Sequence, residues 1–255
     1  MKIALLVTGD EQLSGKRQDK HLAKVIELLG ARGMSLSRAT YVGDDEAAIA
    51  DAIGQSLRRG EVLLCSGGIG ATPDDRTRQA AARAFGVPIE RHPEGEALIV
   101  AEYGPRAFPN RVLMADFPKG ASLIPNPVNR VAGFSMGTCW FVPGFPEMAW
   151  PMLEWVLDQR LAHLHRTDTR VEYALRVIGT SGEGDLLPLM ERTLALFPDI
   201  SLSSLPFRGD PARPRHIEFG FKGPAASAAG AYRQFEAALR ATDGSRIEPL
   251  RPPPD

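Results

Sequence analysis

The first 66 residues alternate between two textures. Lys2 to Thr8 is an unbroken apolar run that stops on Gly9, and Asp19 to Arg32 sets Leu22, Val25, Ile26, Leu28 and Leu29 at helical spacing before Gly33. Leu36 to Val42 is strand-like again, Glu46 to Arg59 returns to helical spacing through Ile49, Ala50, Ile53 and Leu57, and Glu61 to Ser66 is a third strand. A strand that is apolar on both faces must be covered on both faces. A strand, helix and strand in succession cross over right-handedly into a parallel pair. The pattern predicts an α/β domain of three layers, a mostly parallel sheet with helices on both faces.

The same alternation continues more loosely. A helix follows Pro73, another spans Glu94 to Tyr103, two short strands turn at Met136-Gly137, and a helix runs from Glu147 to about His165. The polar stretch "LHRTDTR" then reads as a linker, so residues 1–166 form the first domain. Beyond it, strands at Val171 to Ile178, Ile200 to Phe207 and His216 to Phe221 and helices at Gly184 to Phe197 and Ala225 to Leu239 predict a small α+β domain over residues 170–243. The Pro-rich end predicts a disordered tail over 244–255.

In a parallel sheet, ligands sit in the crevice outside the carboxyl ends of the strands. The three strand ends here are Gly9-Asp10-Glu11, Gly43-Asp44-Asp45, and Ser66-Gly67-Gly68-Ile69-Gly70-Ala71-Thr72, the last followed by Pro73-Asp74-Asp75. Thr72 as a cap, Pro73 at the first helical position and acidic residues in the first turn are ordinary helix-start chemistry. Capping does not explain Gly67, Gly68 and Gly70, each costing roughly 0.5–1 kcal/mol of ordering entropy where no special backbone is needed. Such a turn suits a phosphate cradled by successive backbone N–H groups.

The known phosphate signatures are absent. No lysine follows the glycines, as a P-loop requires, and Pro73 stands where a dinucleotide fingerprint places its third glycine. Carboxylates beside a phosphate repel it unless a divalent cation lies between them, and magnesium bridges carboxylates to phosphates in this way. The sequence therefore points to metal-assisted phosphate chemistry on a small phosphorylated molecule.

Other partners are not expected. Lys plus Arg number 30 against 31 Asp plus Glu, so no net charge steers the chain to nucleic acid, and Arg208, Arg213 and Arg215 lack accompanying stacking aromatics. "KIALLVTG" is too short to span a membrane or to serve as a signal peptide, and the two cysteines lack metal or redox spacing. A cytoplasmic protein is expected. Trp140, Trp150 and Trp155 are read as packing residues, and His163 and His165, two apart on a helix, as a poor metal pair.

Three segments in order resemble the molybdopterin-binding domain family shared by proteins of the MogA and MoaB kind and by CinA proteins. "GDEQLSGKRQDKH" is similar to the first family motif, "VGDDEAAI" to the second and "SGGIGATPDDRTRQA" to the third. "PNPVNRVAG" and "VPGFPEM" extend the likeness over roughly one domain, nearer to the CinA branch. Departures are Ala71 in place of proline, His21 in place of asparagine, and Asn129-Arg130-Val131-Ala132 in the fourth segment.

By that resemblance Asp44 and Asp75 are the catalytic and metal-holding carboxylates. Gly67, Gly68, Gly70 and Thr72 form the ligand loop, to which the strand-end rule adds Gly9, Asp10, Glu11 and Asp74. The implied activity is hydrolysis of the pyrophosphate of ADP-ribose, with magnesium as cofactor and molybdopterin or an adenine nucleotide as ligand. Two alternatives are an adenylyltransferase acting on molybdopterin and a binding protein without turnover. The resemblance further implies a homo-oligomer, dimer or trimer.

Overall fold

Six consecutive buried residues make β1 (Ile3–Thr8) the axis of the larger unit. It pairs in parallel with β2 (Leu36–Val42) on one side and β3 (Val62–Ser66) on the other. The structure, a computed structural model, describes residues 1–166, 170–179, 182–242 and 246–254. The chain divides into two compact units, Met1–Arg166 and Thr167–Asp255.

In the first unit two short strands, β4 (Ile89–Arg91) and β5 (Asp116–Pro118), pair with each other away from the main sheet. The main sheet continues through β6 (Ser122–Ile124), β7 (Gly133–Met136) and β8 (Cys139–Val142), in the order β2-β1-β3-β8-β7-β6. β8 lies parallel to β3, and β7 and β6 are antiparallel additions at that edge.

Alternate residues of β1 face opposite layers, as the two-residue period of a strand dictates. Ile3, Leu5 and Val7 pack against α2 (His21–Gly30) and α6 (Pro146–Gln159), through Val25, Leu28, Leu29, Met152, Leu153 and Val156. Ala4 and Leu6 pack against α3 (Glu46–Arg58) and α4 (Thr77–Phe85), through Ile49, Ile53, Ala80 and Ala81. The two remaining helices of this unit are the one-turn α1 (Asp10–Leu13), not foreseen from the sequence, and α5 (Pro93–Tyr103). The three tryptophans pack, half-buried, against the α2–α6 layer.

Helix starts differ from the sequence reading in an informative way. α2 begins at His21, because Asp19 accepts hydrogen bonds from the amides of His21 (2.9 Å) and Leu22 (3.0 Å), which no earlier residue can satisfy. α4 begins at Thr77 rather than at Pro73, and Thr72 does not cap it. Its first amide bonds back to the Gly68 carbonyl (2.9 Å), while Thr72 to Asp75 close a separate turn through Asp75 N–H to Thr72 O (3.0 Å). The closing helix of the unit stops at Gln159, short of His165, and a 3₁₀ turn follows over Ala162–Leu164.

In the second unit β9 (Arg170–Ile178), α7 (Leu187–Leu196), β10 (Ser201–Phe207), β11 (His216–Pro224) and α8 (Ala225–Thr242) follow the expected order. The expected disordered tail over 244–255 is corrected: Arg246–Arg251 form β12, antiparallel to β9, giving the sheet order β10-β11-β9-β12. Ile247 joins the apolar core formed by Phe219, Phe221 and Phe235, and Pro249 is accommodated because β12 is an edge strand with a register shift beside it. The sixth element completes a split β-α-β arrangement of the ferredoxin type. Among the described residues no helix is long and apolar enough to cross a membrane.

Candidate functional site

Because β2, β1, β3 and β8 are parallel, their carboxyl ends meet at one edge, where Thr8 lies opposite Val42, Val7 opposite Ser66, and Ser66 opposite Val142. The segments leaving those strands enclose a cavity of about 580 Å³. Of the ten residues the sequence singled out, all but Asp10 line it: Gly9, Glu11, Asp44, Gly67, Gly68, Gly70, Thr72, Asp74 and Asp75.

The glycine loop is shaped by steric demand. Gly67 (φ 107°) and Gly68 (φ 67°) occupy backbone conformations that side chains disfavour, and a Cβ would strike the Thr8 carbonyl at the first and the Thr77 hydroxyl at the second. Gly67 N–H is spent on Val142 O (3.0 Å). The next four amides, of Gly68, Ile69, Gly70 and Ala71, make no hydrogen bond to the described residues. A run of unpaired N–H groups beside a cavity is an anion-binding arrangement, since such donors are costly to leave unsatisfied.

A buried cation fixes the loop from behind. Arg78, 4% exposed, donates through Nη2 to the Gly70 carbonyl and through Nη1 to the carbonyls of Leu113 and Asp116. Burial holds its pKa below the usual guanidinium range, against the favourable charges of Asp116 and Asp75. With the Gly70 carbonyl drawn toward Arg78, the loop keeps a single course.

The carboxylates divide into two groups. Asp44 Oδ2 accepts from the Asp10 amide (3.0 Å) and Asp10 Oδ1 from the Asp44 amide (3.1 Å), so β1 and β2 are latched at their ends. Burial first, then the charges of Asp10, Glu11 and Asp74, hold the Asp44 carboxyl above its ordinary range against the opposing Asp10 hydrogen bond. Asp75 is arranged differently: its Oδ2 accepts from Thr72 N–H (2.9 Å) and Thr72 Oγ1 (2.6 Å). A Cβ on Gly70 would overlap that carboxylate and force it to move.

Among the described residues no three His, Cys, Asp or Glu side chains converge as a metal cage. Asp44 and Asp75 both line the cavity and each keeps an Oδ1 that makes no hydrogen bond to the described residues. This fits a hard cation that takes one or two protein oxygens and completes its shell from phosphate and water, as Mg²⁺ does.

Several cavity residues carried no signal of their own in spacing or composition. His21 is buried, and its Nε2 lies 3.1 Å from the Gly144 carbonyl, which can only accept, so Nε2 carries the proton. Ser66 Oγ donates to Pro143 O (3.1 Å). Asn126 holds its own loop, donating to Asn129 Oδ1 (2.8 Å) and Val131 O (3.0 Å) and accepting from Val128 N (3.0 Å). Phe145, from the "VPGFPEM" stretch, stands at the cavity wall with Met148.

The unit so described is an α/β domain covered on both faces, with a glycine loop at the carboxyl edge of its sheet and acidic residues at the neighbouring strand ends. A family model described as "Probable molybdopterin binding domain" matches residues 4–163, and the chain belongs to that family. Its relatives include a "CinA-like protein" of Syntrophotalea carbinolica, 33% identical over 192 residues, covering 71% of this chain and 46% of the relative. A "CinA-like protein" of Citrifermentans bemidjiense is 33% identical over 220 residues, covering 79% of this chain and 53% of the relative. The chain thus spans about half the length of these curated relatives. Among solved structures, the protein CinA "with unknown function" from Thermoplasma acidophilum superposes with a TM-score of 0.57 at 26% identity, covering 62% of this chain and 98% of that one.

Proposed function

We propose that the cavity at the sheet edge binds the phosphoanhydride of an adenylate or pterin compound and hydrolyses it with the help of a divalent cation, as an ADP-ribose pyrophosphatase does. The observation that carries this reading is the run of four unpaired amides, Gly68 to Ala71, beside the cavity. Phosphate oxygens would accept from these amides, with Thr72 at the end of the loop.

Asp44 Oδ1 and Asp75 Oδ1, the oxygens not engaged by Asp10 and Thr72, are those left for the cation. When bound, Mg²⁺ would supply charge neutralisation and polarise a phosphoryl oxygen. In the reaction, water adds to one phosphorus, the bond from that phosphorus to the bridging oxygen breaks, and the bridging oxygen leaves on the second phosphate. ADP-ribose and water would thus yield AMP and ribose 5-phosphate, with release of the proton. The loop amides hold the phosphoryl oxygens where negative charge develops.

The test is incubation with ADP-ribose and Mg²⁺, Mn²⁺ or Co²⁺, with products identified by mass spectrometry. Asp75→Asn is expected to abolish turnover while the thermal melt stays cooperative, and full activity in that variant would overturn the assignment. The second reading is binding without turnover, favoured by the commitment of Asp75 Oδ2 to Thr72. Tight binding of ADP-ribose or molybdopterin with no product under any metal would select it. A dimer or trimer belongs to the same proposal, and light scattering measures it.

A further inference from the structure

Phe145 is an expensive residue where it stands. It is 49% exposed, a large apolar ring left half in water, and it is the sole Phe, Tyr or Trp among the described residues lining the cavity. Nothing in its own helix calls for an aromatic ring. It occupies the cap position of α6 without a side-chain capping bond, and any residue would supply the backbone carbonyl that accepts from Met148 (3.0 Å) and Ala149 (2.8 Å).

Its position is fixed on three sides. Pro146 restricts it to extended backbone (φ −87°, ψ 117°), and those two amide bonds anchor its carbonyl. On the other side, a Cβ on the preceding Gly144 would lie 3.4 Å from the Cα of Gly67, so Phe145 follows directly on the residue that touches the glycine loop. Above the ring stands the Arg17 guanidinium, 5.9 Å from its centroid, and Arg17 also lines the cavity. A planar cation over an aromatic face, both exposed and both at one cavity wall, forms a stacking surface one residue from the phosphate loop.

We propose that Phe145 and Arg17 form the subsite for a planar nitrogen heterocycle carried by the phosphorylated ligand, with Phe145 the specificity-determining residue. The inference rests on the phosphate-loop reading and deepens it. The loop amides would take the phosphates, which many metabolites share, and the Phe145 ring would select those that also bear a purine or pterin. Stacking is tolerant of ring identity because every such heterocycle has a π-face, so the selection is for a ring and not for one base.

Calorimetric titration of the whole chain in the presence of Mg²⁺ tests this with three probes: ADP-ribose, neopterin monophosphate and inorganic pyrophosphate. Phe145→Leu is expected to lose about tenfold in affinity for whichever ring-bearing probe the wild type prefers, with pyrophosphate binding unchanged. Phe145→Tyr should restore the wild-type affinity, and Arg17→Ala should weaken the ring-bearing probe by a smaller factor. The preferred probe distinguishes purine from pterin. Equal affinity of wild type and Phe145→Leu for the ring-bearing probe would overturn the proposal. So would an equal loss for pyrophosphate, which would make Phe145 a support for the loop alone. If the wild type binds none of the three probes, the phosphate-loop reading falls and this inference with it.

Discussion

Asp10 and Asp44 hold each other through reciprocal bonds, each carboxylate accepting from the other's amide, at 3.0 and 3.1 Å. The latch joins the ends of β1 and β2 but brings two acids together beside Glu11 and Asp74. Asp44 accordingly has its carboxyl raised above 3.8, by burial first and then by those charges. A group with a raised folded-state pKa favours the fold most when protonated, below 3.8, and that contribution is lost as pH rises through its folded value.

Asp44→Asn, which keeps an acceptor for the Asp10 amide, is therefore expected to melt at a higher temperature than wild type at neutral pH. The gap should close in acid, near the unperturbed carboxylate range. Thermal melts across that span check it, and a gap that widens in acid would contradict the assignment. The same substitution should remove turnover.

Tyr41 donates from its hydroxyl to Asp19 Oδ2 (2.7 Å), and Asp19 in turn starts α2. Burial raises the Asp19 carboxyl, but the Tyr41 hydroxyl and the amides of Leu22 and His21 outweigh it and hold the group below 3.8. Its stabilisation is present above 3.8 and disappears as pH falls through the lower folded value. Tyr41→Phe should cost about 1.5 kcal/mol at neutral pH, and the cost should fade in acid. In the wild type, burial and Asp19 push Tyr41 up to about 12, and burial also raises Tyr232, so absorbance titration should show two late-ionising tyrosines in the wild type and one fewer in the variant.

Gly68→Ala places a Cβ against the Thr77 hydroxyl at a left-handed backbone position. A loss of roughly 1–2 kcal/mol is expected in denaturant unfolding. Pyrophosphate binding should fall further than stability does, because the strained amide is one of the four available to an anion. Gly60→Ala, at a left-handed position with open space and outside the cavity, is the control: the same backbone strain without the overlap, and unchanged binding.

Arg78→Met strands the carbonyls of Gly70 and Leu113 without their buried donor. The expected cost is about 2–4 kcal/mol in unfolding free energy. Arg78→Lys should recover only part of it, since an ammonium cannot fork between two separate carbonyls. Pyrophosphate binding reads the course of the loop, and unchanged binding in Arg78→Met would show that Arg78 does not hold it.

Much of this protein was legible in the chain itself. Runs such as Lys2 to Thr8 and the helical spacing of Val25, Leu28 and Leu29 report burial through short-range periodicity, which depends only on neighbours in sequence. The glycines at 67 and 68 declare a backbone that other residues resist, and the rule for parallel strand ends located the cavity they border. What only the tertiary structure decided depends on how the turns close and on partners far apart in the chain. Asp75 turned to Thr72, and Thr77 to Gly68, because hydrogen-bond donors in a turn choose among acceptors that exist only once it has closed. Arg78 reached the carbonyl of Leu113, 35 residues on, and Gly144, with Phe145 next to it, came against Gly67 because β3 and β8 are neighbours in the sheet. The last strand escaped the sequence reading for the same reason: Arg246–Arg251 is polar and carries a proline, and it becomes a strand because β9 offers it an open edge.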